Sequence, residues 1–146
     1  MVANYADSLL WRPVMKYVAT ATLAIALGLA AFAAKAGPKE RFLADLQQAV
    51  RDKDTAWFSS HIDYPMTVRG KKRLVIRSPS QVAKNGPDGF IGPKLRSDVL
   101  AQKPEDLFSN WQGMMIGSGD HNVWAHETMP DSDRPDYRIF SINGGS

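Results

Sequence analysis

The chain contains no cysteine among its 146 residues. It therefore has no disulfide, no thiolate nucleophile, no cysteine metal site and no cysteine that carries an N-terminal lipid. Histidine is also scarce, with three residues in the whole chain. A zinc site needs three or four converging ligands, and the adjacent side chains of His126 and Glu127 would leave opposite faces of a strand. We therefore expect neither a metal nor a cofactor.

Neither sign of charge dominates beyond residue 36. Residues 37–146 hold 15 lysines and arginines against 14 aspartates and glutamates. Nucleic-acid-binding proteins concentrate positive charge on one face, so this balance argues against a nucleic-acid partner. The basic cluster Lys71-Lys72-Arg73 lies at a predicted hairpin turn. Such a cluster can meet an anionic surface, but more often it is solvated and protects an edge strand from aggregation.

Long apolar runs are confined to the N-terminal part of the chain. Val18–Ala34 consists of apolar and small residues, Lys16 precedes it, and Ala34-Lys35-Ala36 has the form of an A-x-A cleavage site. The pattern predicts a signal peptide within residues 1–36 that is cleaved after Ala36. Met15 is then a better start than Met1, and Met1–Val14 is either a prefix that is not translated or an extended n-region.

This leader predicts a periplasmic or secreted protein. The alternative is an uncleaved anchor in the inner membrane, since the apolar run is close to the roughly 17–25 residues that span a bilayer. Its alanine and threonine content favours membrane insertion only weakly. Residues 37–146 are long enough for one domain with a single core, which meets the membrane only through an uncleaved leader.

Helical patterns dominate the first half of this domain. Apolar residues in Lys39–Arg51 recur at the spacing of one helical face, and Pro38 suits a first helical turn. Asp52 or Asp54 can cap a short helix that begins at Thr55. Further short helices are predicted after Ser78-Pro79, over Pro93–Gln102 and at Pro104–Phe108.

Strand patterns dominate the second half and one earlier segment. Alternating apolar residues predict a strand over His61–Arg69, with Pro65 requiring an edge position or a bulge. A turn at Gly70-Lys71-Lys72 leads to a second strand, Arg73–Arg77. Further strands are predicted at Trp111–Ile116, Asn122–Glu127 and Tyr137–Asn143, with a polar loop at Pro130–Pro135. In the last strand, Ile139 is expected on one face, with Phe140 and Ile142 on the other.

This order predicts an α+β fold, in which N-terminal helices pack on one face of a curved antiparallel sheet. The chain resembles the bacterial exported branch of the nuclear-transport-factor-2-like superfamily, with its cystatin-like, SnoaL-like cone fold. The residues that carry the resemblance are Ala56-Trp57, Ile62–Val68, Leu107–Gly117 and Val123-Trp124. The resemblance implies a cone with a pocket at its wide end. Members include isomerases, dehydratases, polyketide cyclases and pocket proteins without known chemistry, so the fold alone does not determine function.

Candidate catalytic residues are few. His61 and Asp63 are two positions apart and would share one face of a strand, where they could form an acid–base pair, although simple alternation explains them equally well. His126 would share a face with Trp124. Asp63 or His126 is therefore the candidate general base, and Tyr64 the candidate donor to an oxyanion.

Aromatic and methionine side chains are the most numerous candidates for a binding site in this chain. They can line an apolar pocket for a small ligand, or they can fill a small core that has no disulfide, and the second role is the more common for any one of them. The candidate ligand-binding residues are Trp57, Tyr64, Trp111, Met115, Trp124 and Phe140.

These observations favour a non-catalytic binding module that holds a small apolar ligand or an envelope protein. One alternative is an isomerase or dehydratase with an acid–base residue inside the cone. Another is a periplasmic inhibitor or immunity protein that uses Pro130–Pro135 and the basic turn as its contact surface. A homodimer is a further expected assembly.

Overall fold

A computed structural model describes residues 36–129 and 136–146. The predicted leader before Ala36 and the predicted polar loop Pro130–Pro135 lie outside the described residues. Within the described part, no helix is both long and apolar enough to cross a membrane.

The described chain forms four α-helices and six strands, with single 3-10 turns at Pro87–Gly89 and Pro104–Asp106. The helices are α1 (Pro38–Asp52), α2 (Thr55–His61), α3 (Pro79–Asn85) and α4 (Pro93–Ala101). The strands are β1 (Ile62–Gly70), β2 (Arg73–Ile76), β3 (Phe108–Asn110), β4 (Gly113–Ser118), β5 (His121–Glu127) and β6 (Tyr137–Gly145).

The strands form one open sheet in the order β2-β1-β6-β5-β4-β3. The predicted α+β class, with helices packed on the sheet, is confirmed. The prediction of a wholly antiparallel sheet is wrong at one place, because β1 and β6 pair in parallel. Parallel neighbouring strands need a long connection. Here the connection runs from Gly70 to Tyr137 and includes strands β2 to β5 and helices α3 and α4. Local sequence patterns do not reveal such a pairing.

Helix α1 follows directly from its sequence pattern. Pro38 occupies the first turn, as predicted, and the apolar positions of the predicted helical face are buried. Gln47 on its more polar side donates to the carbonyl oxygens of Val99 and Gln102 at 3.0 and 2.9 Å. Carbonyls at the end of a helix lack partners within the helix, so Gln47 satisfies the C-terminal end of α4 and joins the two helices.

Helix α2 begins at a side-chain cap. Asp54 accepts a hydrogen bond from the backbone amide of Trp57 at 2.9 Å, as one of the two predicted caps. The helix lasts seven residues and ends at His61, so His61 is not on the strand that carries Asp63. The predicted pairing of these two side chains on one strand face is therefore wrong.

The core lies between the helices and the sheet. Helix α4 packs across β4, β5 and β6, and α1 packs against α4. Phe58 and Phe90 meet edge to face at 5.3 Å between ring centroids, a favoured aromatic geometry. The largest fully buried side chains are Phe58, Phe90, Leu43, Leu46, Ile62, Met66, Ile76, Leu95, Met114, Ile116, Ile139 and Ile142.

Pro65 lies in β1, an interior strand of the sheet. Proline has no amide hydrogen, so it interrupts a hydrogen-bonded ladder. The parallel pairing of β1 with β6 shifts register between Ile62 and Thr67, and the pairing with β2 begins at Met66. The predicted bulge is confirmed, and the alternative of an edge strand is wrong.

A second register shift changes the faces of β6. The pairing with β5 shifts between Trp124 and Ala125. Ile139 and Ile142 are both buried, so the prediction that they lie on opposite faces is wrong. A bulge adds one residue to one strand and reverses the alternation beyond it.

The sheet has a second face, turned away from the helices, which we call the outer face. Strand alternation and register align one row of side chains across it, from edge to edge: Phe108, Met115, Trp124, Ser141, Thr67 and Val75. The short edge strand β3, which the sequence patterns did not predict, adds Phe108 to this row.

Candidate functional site

The outer face gathers aromatic side chains from three strands. The Phe108 and Trp124 rings meet edge to face at 6.3 Å, and Trp124 lies 6.4 Å from Phe140. The His126 ring lies 5.0 Å from Phe140. These four rings form a continuous aromatic surface on the outer face.

A groove of about 420 Å³ lies over this surface. Trp111, Gln112, Trp124 and His126 border one part of it. Three residues of β6 and one of β1 border the rest, namely Phe140, Ser141, Asn143 and Arg69. Its size falls within the roughly 300–1,000 Å³ of small-molecule sites, and a few polar groups among apolar ones are typical of such sites.

Trp111 stands at the rim of the groove in the turn between β3 and β4. The side chain of Asn110 accepts a hydrogen bond from the backbone amide of Gln112 at 2.8 Å, which holds this turn closed. Trp111 is 91% exposed. A side chain of this size is usually largely buried, so Trp111 leaves an unusually large apolar surface open to solvent beside the groove.

A smaller groove of about 290 Å³ shares Trp111, Gln112 and His126 with the first. It extends toward Lys39 and Tyr137, and Lys39 donates to Ser109 at 2.9 Å. Trp111 therefore separates two adjoining depressions.

His126 and Asp63 form a polar pair on the outer face. The Nε2 atom of His126 lies 2.8 Å from Oδ2 of Asp63. Their side chains are 37% and 46% exposed, respectively. When the neutral imidazole donates from Nε2 to the carboxylate, its basic lone pair is on Nδ1, which is the arrangement of an oriented general base.

Arg69 is held over the outer face by neutral groups. Its guanidinium donates to the hydroxyl of Ser141 at 2.8 Å and to the side-chain oxygen of Asn143 at 3.4 Å. Asn143 in turn donates to Asn122 at 2.7 Å, and Asn122 donates to the Gly119 carbonyl at 2.7 Å. Ser141 and Asn122 are buried, and buried polar groups require such partners.

This polar network borders a third and larger groove of about 660 Å³. Arg69 and Asn143 line both this groove and the aromatic one. Lys71, Asp120 and His121 line its other side. An aromatic depression and a polar depression therefore adjoin at Arg69.

The structure divides the six predicted ligand-binding residues into two groups. Trp111, Trp124 and Phe140 border the aromatic groove, and Met115 lies beside them opposite Trp124 in the strand register. Trp57 lies elsewhere, stacked on His61 at 4.2 Å between ring centroids. Trp57 and Tyr64 are partly buried and pack against the core.

Tyr64 is not placed to stabilise an oxyanion in the aromatic groove. Its hydroxyl donates to the backbone carbonyl of Ser59 at 2.9 Å. Burial raises the pKa of this phenol, while the positive charge of Arg138 acts in the opposite direction. Of the three weak catalytic candidates, the structure thus brings together Asp63 and His126, whereas the Tyr64 hydroxyl is bonded to Ser59 and does not line the groove.

Sequence reasoning missed Arg69, Ser141 and Asn143. Arg69 carried little signal, because the alternation that would relate its face to that of Asp63 is interrupted by the bulge at Pro65. Ser141 and Asn143 carried none, because their faces depend on the register shift in β6.

Within the described residues, no group of three or more histidine, aspartate or glutamate side chains is arranged to hold a metal ion. Comparison of the chain with protein-family models, curated proteins and solved structures finds no match. The geometry of the outer face is therefore the basis for proposing a function.

Proposed function

We propose that the chain is a binding module that holds a small, largely apolar ligand on the outer face of its sheet. The observation that carries this proposal is the groove of about 420 Å³ with exposed Trp111 at its rim and Trp124 and Phe140 at its base. Burial of aromatic surface contributes roughly 25 cal/mol for each Å² removed from water. A ligand placed between Trp111 and Trp124 would gain that contribution without rearrangement of the core.

The polar residues of the groove supply orientation. Arg69, Ser141 and Asn143 lie along one side, and the His126–Asp63 pair lies on another. Few polar anchors within an apolar surface are typical of sites that select one ligand pose.

The test is nuclear magnetic resonance with a library of neutral and charged small aromatic compounds, including indole and 2-naphthol. Bound compounds should shift the indole N–H signals of Trp111 and Trp124. The variants Trp111→Ala and Trp124→Ala should each weaken binding about tenfold or more, given roughly 1–3 kcal/mol for one stacking contact. Trp57→Phe is the matched control, because Trp57 lies outside the groove, and it should bind as the wild type does. A library that leaves both indole signals unmoved contradicts the proposal.

A second candidate function is an isomerase or dehydratase, favoured by the 2.8 Å contact of His126 with Asp63. Asp63 would orient the imidazole, and His126 would remove a proton next to a carbonyl group. Compounds found to bind would be screened for double-bond migration or loss of water. Activity that Asp63→Asn reduces about tenfold or more, with binding intact, would support this candidate. Bound carbonyl compounds that stay unchanged would refute it.

We propose further that the domain is exported and belongs to the nuclear-transport-factor-2-like superfamily, with its cone-shaped sheet. The order of helices and strands supports this family, and the compact unit Gly37–Ser146 begins directly after the predicted cleavage site. Expression in a bacterium followed by mass spectrometry of the periplasmic fraction should give a protein that begins at Gly37. A product that keeps the leader in the membrane fraction would contradict cleavage.

A further inference from the structure

Arg69 brings a positive charge to the boundary of the aromatic groove. In the described part of the chain, its hydrogen bonds run to the hydroxyl of Ser141 and the amide oxygen of Asn143. Neither acceptor carries a charge. The side-chain ion pairs of this part involve other cations, namely Lys53, Lys94, Arg96, Arg138 and His126.

The acceptors of Arg69 are themselves fixed. Ser141 is 7% exposed and Asn122, which supports Asn143, is 5% exposed. A guanidinium held in this way is oriented before any ligand arrives and loses less side-chain entropy when it binds one. Contact with Ser141 and Asn143 uses one terminal nitrogen of the guanidinium. Its remaining donors are the planar set that matches a carboxylate.

The charged side chains that line the adjoining polar groove are also mainly positive. Arg69 and Lys71 line it, together with the single carboxylate Asp120 and the imidazole of His121. An anionic group at the junction of the two grooves would therefore meet an excess of positive charge. The aromatic rings on the other side of Arg69 would meet an apolar group.

We propose that the natural ligand is a small organic anion, with a flat apolar body on Trp124 and Phe140 and a carboxylate on Arg69. This inference rests on the proposed binding function and narrows it to one chemical class. The charge of Arg69 and its neutral acceptors favour this occupant over a neutral compound. The same charge disfavours a second copy of the chain, because two copies related by a twofold axis near Arg69 would bring like charges together.

Isothermal titration calorimetry with two isosteric probes, 2-naphthoate and 2-naphthamide, tests the inference. The probes share the apolar body and differ in the carboxylate. A charge-assisted hydrogen bond is stronger than a neutral one by an amount that corresponds to about tenfold or more in affinity. The naphthoate should therefore bind about tenfold more tightly than the amide, and high salt should narrow the difference.

Two arginine variants test whether Arg69 causes the preference for the carboxylate probe. Arg69→Gln should weaken naphthoate binding about tenfold or more and weaken naphthamide binding by less, so that the preference for the naphthoate over the amide disappears. Arg77→Gln is the matched control, because it removes the same charge from an exposed position outside both grooves. It should leave both affinities unchanged. Thermal unfolding of both variants confirms that they fold.

The outcomes separate the inference from the binding function. If both probes bind equally well and Arg69→Gln weakens neither, the inference is wrong and the binding function stands. If neither probe binds and no neutral aromatic compound does so, both are wrong. A dimer in gel filtration that excludes both probes would assign the outer face to a second copy and overturn the inference.

Discussion

One additional residue between paired strands determines which side chains form the site. Ile139 and Ile142 are three positions apart and both point into the core, so Phe140 and Ser141 both lie between buried positions. Without the register shift at Trp124, strict alternation would send one member of that pair toward the helices. The extra residue in β6 therefore brings the Phe140 ring and the Ser141 hydroxyl, which holds Arg69, to the same groove.

Asp54 is a single residue whose effect is purely local. Its carboxylate accepts from the amide of Trp57 and satisfies the exposed start of α2. Asp54→Ala should lower the free energy of unfolding by about 1 kcal/mol. Urea denaturation followed by circular dichroism measures this change.

The matched control is Asp54→Asn, because asparagine is an equally good cap. It should keep most of the wild-type stability. If the alanine and asparagine variants unfold at the same urea concentration, the cap does not contribute to stability and α2 depends on its packing alone.

Among the elements, the hairpin of β4 and β5 depends on the backbone conformation of Gly113. This glycine has φ of 143°, and a Cβ atom built there would lie 2.4 Å from the carbonyl oxygen of Ala125. Any other residue would have to move β5, which carries Trp124 and His126. The hairpin therefore needs glycine at the point where β4 begins.

Gly113→Ala should cost about 3 kcal/mol of stability, since backbone strain and the displacement of β5 act together. Gly119 in the turn after β4 offers a comparison. It has φ of 53°, and a Cβ atom there would meet nothing within 4 Å, so Gly119→Ala should cost only about 1 kcal/mol for the left-handed backbone. Chemical denaturation of both variants gives the difference. Equal losses would mean that strand spacing at Gly113 is not restrictive.

At the scale of the whole molecule, Asp88 joins separate parts of the helical layer. Its carboxylate accepts from Lys53 at the end of α1, at 2.6 Å, and also pairs with Arg96 of α4. Its backbone carbonyl accepts from Ser146 near the end of β6, at 2.7 Å. The hydrogen bond from Lys53 is the largest cause that lowers the pKa of Asp88 below its ordinary value of 3.8, and the charge of Arg96 adds to it.

This lowered pKa has a definite consequence for stability against pH. Because the folded protein holds the carboxylate in its charged form, the stabilisation is present above pH 3.8, the unfolded value, and is lost as the pH falls through the lower folded value. Asp88→Asn should therefore flatten the acid side of the stability curve. Asp88 is exposed to solvent, so the effect should shrink in high salt.

Urea unfolding between about pH 2 and pH 7 measures this dependence. Asp45→Asn is a suitable control, since Asp45 lies on the exposed side of α1 away from this network, and its curve should follow the wild type. An Asp88→Asn curve with the full acid slope would show that other carboxylates cause the acid sensitivity.

The local secondary structure could be predicted from the sequence alone. The apolar face of α1, the cap at Asp54 and the hairpin of β1 and β2 all depend on residues close together in sequence. Propensity, periodicity and capping act over these short distances, so the pattern of residues contains the answer.

The candidate site could be predicted from the sequence only in part. Trp111, Trp124 and Phe140 were identified as aromatic candidates, but their composition alone did not say that they lie outside the core. Trp111 projects into solvent from a turn, whereas Trp57, of the same residue type, packs against Phe42 at 5.8 Å. The choice between these roles depends on the position of distant strands.

The α+β class and most helices and strands could be predicted from the residues, because each depends on neighbours along the chain. The folding of the chain in space decided that β6 runs beside β1 in parallel and that His126 meets Asp63 across 63 residues. It also decided that Arg69 stands next to an open aromatic surface. The reason is physical: sheet register and strand order minimise the free energy of the whole core, to which every element contributes at once.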